Sequence, residues 1–495
     1  MRKRVLIFLL ICSFFILEGQ LLALDKPPIK RIALNNGMTF LLWPRPASPS
    51  VAYEVRVKVG SVDDPRHLTG LAHMLEHMMF KGTQAIGTSN YKKEKALLKE
   101  IDKTAIQIQS SPSNTRNQLE ERLQKLIKKA RAYQIPNEFD RLYSQAGGIN
   151  LNAYTSADLT SYHVTLPRGH IELWAAIERD RTLHPVFREF YKERSVVLKE
   201  RSQRVDASDK GRLFEEFLFH AFTTSPYRFP VIGMREDIGR LTRADLKKFY
   251  NKYYIPANTV VAIVGGFDPE RVISTIRNYF DDIPTREVAP TFVSKEDKRA
   301  LQVRIHLESD KEPFMIMGFL KPTLPNIDDT CFDIIQEVLT GSKTSRLYNA
   351  LVTEKHIASQ IDAYNGFPGS RYDNLFVITA SPLPGHTNKE LEEAIWEELD
   401  KLKQEPLEEQ EIKRAIKSIK KSILSGMETN EGAAGLISYF EAIAGDYAYI
   451  YKNIEDIENV DIEMIMGCAK KYLGRQQAII GFMGKDKASP TEMME

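Results

Sequence analysis

The chain has 495 residues, more than one hydrophobic core normally supports, so two or more domains are expected. Its 68 basic and 66 acidic residues leave a net charge of +2 at pH 7. This near balance excludes the strongly basic surface of a nucleic-acid-binding protein and gives no strong attraction to anionic membranes. We therefore expect no nucleic-acid partner, and the function has to be inferred from local motifs.

The first predicted element is an export signal in residues 1–23. A basic start, Arg2 to Arg4, precedes an apolar run from Val5 to Leu17, and the small residue Ala23 follows where cleavage can occur. The run is short for a membrane-spanning helix, and no other segment approaches ~18 uncharged apolar residues. We predict an exported protein, periplasmic or secreted, with no stable membrane span in its mature form. The alternative is a signal that is kept as an anchor.

Strands and a helix are predicted next. The segments "RIALNNGMTFLLWPRP" and "SVAYEVRVKVGSVDD" alternate apolar and polar residues around an Asn-Gly turn, a pattern typical of antiparallel strands. The segment "GLAHMLEHMMFKGT", residues 70–83, has apolar residues at helical spacing. It predicts a helix that starts at Thr69 and Gly70 and ends at Gly82.

This helix carries three polar side chains on one face. His73 and His77 stand one above the other at i and i+4, and Glu76 lies beside them. Two neutral imidazoles at that separation can bind one Zn²⁺ and leave room for a further ligand and a water, from which Glu76 can take a proton. The order His-x-x-Glu-His is the inverzincin signature. The alternative is a pair of ordinary histidines hydrogen-bonded to their neighbours.

A charged insertion follows, from Tyr91 to about Tyr133. It is rich in Lys, Glu, Gln and Leu and is interrupted by "SSPSN", Ser110 to Asn114. We predict two helices joined by a tight turn, an antiparallel hairpin that projects from the body. It is either a solvated insertion or an arm that binds a partner or gates a chamber.

The segment "GGINLNAYTSADLTSYHVTL" predicts a pair of strands, and "PVFREFYKERSVVLKERSQRV" predicts a long helix. In that helix Glu193 and Glu200 are seven residues apart, within ~20° of the same face, with Val197 between them. Two carboxylates on a partly apolar face are costly unless a positive group meets them, and a metal would be such a group. The alternative is a solvated acidic stripe balanced by neighbouring Lys and Arg.

The chain is internally duplicated by pattern. Lys252-Tyr253 precedes Gly265 by the same interval as Lys471-Tyr472 precedes Gly484, and each pair ends a helix that is followed by a buried strand. We predict a first domain over 27–280, a linker over 281–300 and a second domain over 301–486.

The second copy lacks the metal-binding residues of the first. If Gly341 corresponds to Gly82, the positions of His73, Glu76 and His77 are taken by other residues, namely Phe332, Ile335 and Gln336. None of the three offers the imidazole or carboxylate that a zinc site requires.

Four segments together resemble the pitrilysin family of zinc metallopeptidases, which includes insulin-degrading enzyme and the mitochondrial processing peptidase. They are "GLAHMLEHMMFKGT", "LNAYTSADLTSYHV", "YKERSVVLKE" and "YNKYYIPANTVVAIVGGFDPE". The resemblance covers nearly the whole chain after the signal. It implies an α+β fold of two homologous domains, each an antiparallel or mixed sheet packed with helices. The length resembles the processing-peptidase branch, whose chains pair into a closed chamber, and some bacterial members are divided into two subunits.

The resemblance implies a role for each matched residue of the metal site. His73 and His77 would be zinc ligands, with Glu200 as the third protein ligand. Glu76 would be the general base. Glu193 would support the site from close by without direct ligation.

The resemblance also implies where the substrate lies. The segment "NAYT" matches the edge strand of the family, so Asn152 and Ala153 would contact the backbone of a peptide that adds to the sheet as a β-strand. Without the resemblance, Asn152 is typical of a turn or a strand end.

Two departures from the family pattern matter. First, 123 residues separate His77 from Glu200, a long gap that the charged insertion accounts for. Second, Val352 and Ser359 stand where self-sufficient members carry an Arg and a Tyr that hold the substrate carbonyl. Neither residue can replace those donors.

We therefore expect a zinc-dependent endopeptidase that hydrolyses extended peptides or unfolded polypeptides through a metal-activated water. The missing Arg/Tyr pair favours a zinc-bearing subunit of a heterodimer, weakly active or inactive alone, whose homologous partner supplies the pair; a homodimer is also open, and so is a misaligned loop. The rival hypothesis is a non-catalytic structural or assembly subunit of the same fold.

Overall fold

The computed structural model describes residues 27–288, 295–296 and 301–485. The predicted export signal, residues 1–23, and part of the predicted linker lie outside the described residues. Within the described part of the chain, no helix combines the length and apolar character needed to cross a membrane.

The first half of the chain builds a six-stranded mixed sheet with the strand order β1-β2-β6-β3-β5-β4. Strands β2 and β6 are parallel, and the other neighbouring pairs are antiparallel. The strands are β1 (Lys30–Ala33), β2 (Thr39–Pro44), β3 (Ser50–Val57), β4 (Ile149–Thr155), β5 (Thr160–Pro167) and β6 (Thr259–Gly265).

The second half builds a five-stranded sheet with the order β7-β11-β8-β10-β9, in which β7 and β11 are parallel. The strands are β7 (Val303–Glu308), β8 (Phe314–Lys321), β9 (Ala358–Phe367), β10 (Asn374–Pro382) and β11 (Ile479–Gly484). Taken in chain order, these five strands occupy the same relative positions as β2 to β6 of the first sheet. The prediction of two homologous α+β halves is therefore confirmed.

Helices cover the two sheets. In the first half they are α1 (Leu71–Met78), α2 (Tyr91–Ser110), α3 (Ser113–Arg131), α4 (Glu138–Gln145), α5 (Ile171–Leu183), α6 (Phe190–Arg201), α7 (Asp209–Ala221), α8 (Arg235–Arg240), α9 (Arg243–Tyr253) and α10 (Pro269–Phe280). In the second half the longer helices are α11 (Ile327–Thr340), α12 (Asn388–Gln404), α13 (Glu409–Gly426), α14 (Asn430–Ile443), α15 (Tyr449–Glu458) and α16 (Ile462–Tyr472), and a short helix, Arg346–Tyr348, continues as a π-helix over Asn349–Glu354 between α11 and α12.

Both faces of the first sheet are covered, each by a different half of the chain. Successive side chains of a strand point to opposite faces. On one face Val57 of β3 packs in the same apolar cluster as Leu71 and Leu75 of α1. On the other face Ala52 of β3 packs with Ala433, Ala434 and Ile437, all contributed by α14 of the second half.

The charged insertion forms the predicted helical hairpin, α2 and α3, but it does not project freely. Leu98 and Ile101 of α2 are buried in the same cluster as Phe190 of α6. A buried ion pair joins Glu94 of α2 to Arg188, with Arg188 Nε 2.9 Å from Glu94 Oε1. The projecting arm is therefore a wrong expectation for α2, because one face of that helix is apolar enough to pack on the body. Among the residues of α3, only Ala130 is buried.

A hydrogen-bonded seam joins the two halves beside the end of β4. Asp158 follows β4, and its carboxylate accepts hydrogen bonds from Ser370 N at 2.6 Å and from the hydroxyl of Tyr227 at 2.7 Å. Arg371 of the second half donates to both carboxylate oxygens of Asp63 at 2.9 Å. Because these groups are largely buried and charged, the seam fixes the second half against the loop that follows β4.

Candidate metal centre

Helix α1 starts at a position that only glycine tolerates. Gly70 has a φ of 90°, and a Cβ there would lie 2.7 Å from the carbonyl oxygen of Ile232. The first amides of the helix are capped from outside it, since the Asp64 carboxylate accepts from Gly70 N at 2.6 Å and from Ala72 N at 2.9 Å. The predicted start is therefore confirmed, whereas the helix ends at Met78 and not at Gly82.

The structure brings together three side chains from two distant helices. The candidate ligand atoms of His73 and His77 on α1 and of Glu200 on α6 all lie within 4.8 Å of one another. His73 Nε2 lies 3.8 Å from one Glu200 carboxylate oxygen, and His77 Nε2 lies 3.6 Å from the other. The two imidazole rings are inclined at 75° with their centroids 4.8 Å apart. Two imidazoles and a carboxylate thus surround one point, as in a catalytic zinc site.

Glu193 lies on the outer side of His77 and not among the three converging groups. Its Oε1 is 3.2 Å from His77 Nδ1, and its Oε2 is 2.7 Å from Lys81 Nζ. Burial opposes its charge, but the hydrogen bonds from His77 and Lys81 prevail and hold the pKa of Glu193 at about 2. An ionised carboxylate on Nδ1 leaves Nε2 of His77 with its lone pair free for a metal.

Glu76 lies beside the converging groups on the same helix. Its carboxylate accepts a hydrogen bond from the Thr155 hydroxyl at 2.9 Å, at the end of β4. Burial raises the pKa of Glu76, while the hydrogen bond from Thr155 and the nearby His77 lower it and Glu200 raises it further. A carboxylate with a raised pKa is suited to exchange a proton near neutral pH.

His73 is buried and has the electrostatics of a metal ligand. Burial, with the neighbouring His77 and Arg204, lowers the pKa of His73 to about 3, so the ring is neutral. Only a neutral imidazole can donate a lone pair to a metal. Its Nδ1 is buried and has no hydrogen-bond partner among the described residues. The donor set as a whole fits Zn²⁺, which prefers nitrogen and carboxylate ligands in a site with an open position.

Strand β4 is an edge strand, as the position of "NAYT" predicts. It pairs with β5 on one side only. Asn152 is exposed, whereas Ala153 is partly buried against the cluster that also contains α1. The Asn152 side-chain oxygen accepts a hydrogen bond from Ala153 N at 2.9 Å. Contact between these residues and a substrate stays a prediction.

Comparison with known proteins decides the family. A family model described as "Insulinase (Peptidase family M16)" matches residues 40–120 and 121–234, and one described as "Peptidase M16 inactive domain" matches residues 240–419. The chain belongs to the M16, or pitrilysin, family. The second match begins before β6, a strand of the first sheet, so its start does not coincide with the boundary between the two sheets.

Bacterial M16 proteins are similar to this chain along most of its length. "Zinc protease PqqE" of Helicobacter pylori is 27% identical over 421 residues, which cover 83% of each chain. "Uncharacterized zinc protease YmxG" of Bacillus subtilis is 23% identical over 457 residues, 91% of this chain and 97% of that protein. These two names support a peptidase-type function at the level of the family.

Solved structures share the fold. A protease from Helicobacter pylori superimposes with a TM-score of 0.78 at 23% identity, covering 92% of this chain and 100% of that one. The first half of the periplasmic protease PqqL from Escherichia coli superimposes with a TM-score of 0.68 at 16% identity, covering 95% and 96%. These likenesses show the M16 fold and do not assign the chain to the processing-peptidase branch.

Three further side chains of this M16 site were not singled out from the sequence. Arg204 lies four residues after Glu200, and its Nη1 is 3.0 Å from Glu200 Oε1; the i, i+4 spacing is a signal that could have indicated it. Lys81 lies in the histidine-bearing motif and Thr155 lies in the "NAYT" segment. Nothing in the sequence indicates that Lys81 pairs with Glu193 or that Thr155 bonds to Glu76. These two contacts depend on how separate elements pack.

Among its described residues, the second M16 half has no corresponding cluster. Within 27–288, 295–296 and 301–485, His73, His77 and Glu200 are the only group of three metal-capable side chains that converge. In α11, Phe332 and Ile335 lie in the apolar core, and Gln336 accepts a hydrogen bond from Asn365 N at 2.7 Å.

Val352 and Ser359 are the residues predicted to stand at the positions of the family's Arg/Tyr pair. Val352 is partly buried against the core of the second half, and the Ser359 hydroxyl donates to the carbonyl of Ser381 at 3.1 Å. Neither side chain offers a long, free donor to a substrate carbonyl.

Proposed function

We propose that this M16 protein is a zinc-dependent endopeptidase that hydrolyses extended peptides or unfolded polypeptides. The observation that carries the proposal is the convergence of His73, His77 and Glu200 within 4.8 Å, with Glu76 adjacent on the same helix. Relatives named as zinc proteases support it.

The metal would be held by Nε2 of His73, Nε2 of His77 and the carboxylate of Glu200. Glu193 would orient His77 through Nδ1, the usual way in which a carboxylate fixes a metal-binding imidazole. Zn²⁺ in such a site lowers the pKa of a coordinated water and polarises a carbonyl.

The chain's own residues would handle the proton and the substrate. Glu76 would take a proton from the attacking water and pass it to the leaving amine, with the Thr155 hydroxyl holding its carboxylate in place. The free edge of β4 would hold the peptide as an added strand, with Asn152 and Ala153 contacting its backbone. Recognition through main-chain groups suits a peptidase with broad sequence tolerance.

We further propose that the active form contains two such chains, this one carrying zinc and a homologous partner carrying an Arg/Tyr pair. Val352 and Ser359 cannot supply those donors. The structure of the full PqqL chain supports this arrangement at the level of fold. This chain aligns over 95% of its own length but covers only 50% of PqqL, which leaves room in PqqL for a second unit of similar size. A homodimer is the simpler alternative. We also propose that the protein is exported from the cytoplasm, on the basis of the export signal predicted in residues 1–23.

The test combines metal analysis with peptide cleavage. The purified chain should contain about one zinc per molecule. The Glu76→Gln variant should keep the zinc but lose cleavage by a factor of at least ~10². Glu216 is exposed, and Glu216→Gln serves as the matched control. Cleavage should rise strongly when the partner is added. Absence of stoichiometric zinc, or zinc without cleavage in any assembly, would instead favour the non-catalytic subunit.

A further inference from the structure

A cavity of about 310 Å³ lies between the first sheet and α14 of the second half. Its volume is at the lower end of the range of small-ligand pockets, ~300–1,000 Å³. The wall from the sheet includes Glu54, Arg56, Tyr154, His163 and Thr165, and the wall from α14 includes Glu431. We call this space the sheet–helix cavity.

The sheet–helix cavity lies on the face of β4 opposite the metal centre. Tyr154 lines the cavity, and Asn152 pairs with His163, another lining residue, on neighbouring strand β5. Because cross-strand partners share a face and successive residues alternate, Asn152 and Tyr154 point to the cavity side. Thr155 points to the other side, where its hydroxyl reaches Glu76.

The same alternation applies to a peptide that pairs with the free edge of β4. Every second side chain of that peptide would face the metal centre, and the side chains between them would face the sheet–helix cavity. The cavity is therefore within reach of a substrate held for cleavage at the metal centre. Tyr154, 44% exposed, lies on the route between the edge and the cavity.

The charges in the sheet–helix cavity are not balanced internally. The guanidinium of Arg56 pairs with Glu54, since it donates to Glu54 Oε1 at 3.0 Å, and it also donates to Ser438 Oγ at 3.1 Å and to Gly435 O at 3.2 Å. The other Glu54 oxygen lies 3.9 Å from His163 Nδ1.

Glu431 is the acidic group of the cavity that has no ion-pair partner, and it lies in the first turn of α14, where the helix N-terminus favours its charge. Its carboxylate accepts a hydrogen bond from the Thr165 hydroxyl at 2.6 Å, and no cationic side chain of the described residues lies within ion-pair distance of it. Because Glu431 has no ion-pair partner among the described residues, a cation that enters the cavity could pair with it without displacing another cation.

We propose that the sheet–helix cavity is a substrate subsite that binds the side chain of a lysine or arginine, with its cation on Glu431. The inference rests on the proposed function, because it requires a peptide on the edge of β4. Glu431 bonds to Thr165 on β5, one strand in from the edge strand β4, so only a long side chain such as lysine or arginine would extend to it from the edge, whereas an acidic side chain would meet Glu431 and Glu54 together. The protein would thus prefer peptides that carry a basic residue at a position facing away from the metal centre.

The test measures binding of peptides, so that it does not depend on turnover. The zinc-loaded, full-length Glu76→Gln protein is titrated with fluorescent, unstructured peptides of identical composition in which one lysine is moved along an otherwise Ala/Ser/Thr sequence. We expect one register to bind at least about tenfold more tightly than the peptide with norleucine there, and a one-residue shift to lose that gain. Arginine should replace lysine, and glutamate should bind more weakly than norleucine.

Variants of Glu431 identify the cavity. In the same background Glu431→Gln should abolish the preference for lysine over norleucine, and Glu431→Lys should reverse it in favour of glutamate. Glu428→Gln, an exposed carboxylate three residues earlier, is the matched control and should keep the preference. Thermal unfolding of each variant verifies that it is folded.

The outcomes separate the two proposals. Peptide binding without a register-specific basic preference, or a preference that survives Glu431→Gln, overturns the subsite alone. Failure of the zinc-loaded Glu76→Gln protein to bind any extended peptide, both alone and with its partner chain, overturns the proposed function and the subsite with it.

Discussion

The Nδ1 atom of His77 lies 3.2 Å from Oε1 of Glu193, although the two residues are 116 positions apart. The other carboxylate oxygen of Glu193 pairs with Lys81 at 2.7 Å. Since Nδ1 is engaged on this side, Nε2 of His77 is directed to the side where His73 and Glu200 converge. Glu193 thereby sets which nitrogen of His77 is available to a metal.

Replacing Glu193 should weaken metal binding without removing it. We expect Glu193→Gln to lower zinc affinity about 10- to 100-fold, because the amide keeps a contact to Nδ1 but loses the charge that orients and polarises the ring. Glu200→Gln should lose far more, as a ligand is removed. Competition with a zinc-binding dye measures both, with Glu216→Gln as the control. Equal losses for Glu193→Gln and Glu200→Gln would contradict the separate roles.

The hydroxyl of Thr155 should set the pH at which Glu76 becomes a base. It donates to the Glu76 carboxylate and so lowers a pKa that burial raises. Removing the donor in Thr155→Val raises that pKa again, so the acidic limb of the pH profile of kcat/KM should move to higher pH. Thr155→Ser keeps the hydroxyl and should restore the original limb. An unmoved limb in Thr155→Val would show that Glu76 does not control it.

Arg204 should compete with the metal for Glu200. Its Nη1 lies 3.0 Å from Glu200 Oε1, and its side chain is 73% exposed. An exposed i, i+4 pair is worth only ~0.3–0.5 kcal/mol, so Arg204→Met should tighten zinc binding by no more than about two- to threefold. Calorimetry with the metal-free protein measures the change. Arg212→Met removes a comparable surface cation that pairs with Asp209 and should leave the affinity unchanged. Weaker zinc binding in Arg204→Met would contradict competition.

Asp333 should make the second half less stable at neutral pH than in acid. Burial and the neighbouring Asp329 raise the pKa of Asp333 to about 7, although Asn365 donates to it at 2.7 Å. Between pH ~4 and about 7 the unfolded chain has lost this proton while the folded chain keeps it, so stability falls as pH rises through that window.

The variant Asp333→Asn removes this proton linkage and can still accept from Asn365. At pH 8 it should be more stable than the parent by about 1–2 kcal/mol, an amount reduced because the side chain is partly exposed, and the gain should vanish near pH 4. Denaturant unfolding at the two pH values measures it. Asp328 is a control whose substitution should change stability in the opposite direction. Burial opposes its charge, but contacts with Lys471 and Tyr472 lower its pKa, so Asp328→Asn should lose stability at neutral pH.

Local spacing within one helix was enough to group part of the candidate site. The i, i+3 and i+4 positions of His73, Glu76 and His77 put their side chains on one face of α1 regardless of the rest of the fold. The same reasoning put Glu193 and Glu200 on one face of α6, but it could not distinguish them. Their different neighbours, Nδ1 of His77 for one and both Nε2 atoms for the other, depend on where α6 packs against α1.

The prediction of the charged hairpin was partly wrong for a related reason. Helix α2 carries enough charged residues to suggest that it is exposed to solvent. Its residues Leu98 and Ile101 nevertheless pack against the apolar core of the first half. Whether an amphipathic helix packs or projects depends on the presence of a partner surface, which composition does not reveal.

The sequence by itself indicated the internal duplication, several of the strands and helices, the family resemblance and the face of α1 that bears the imidazoles. These follow from periodicity, turn residues and motifs, which act over a few residues. Only the tertiary structure decided the contact between His77 and Glu193, the hydrogen bond from Thr155 to Glu76 and the cavity between α14 and the first sheet. Each of these joins groups far apart in the chain, and such contacts arise from the packing of the whole core.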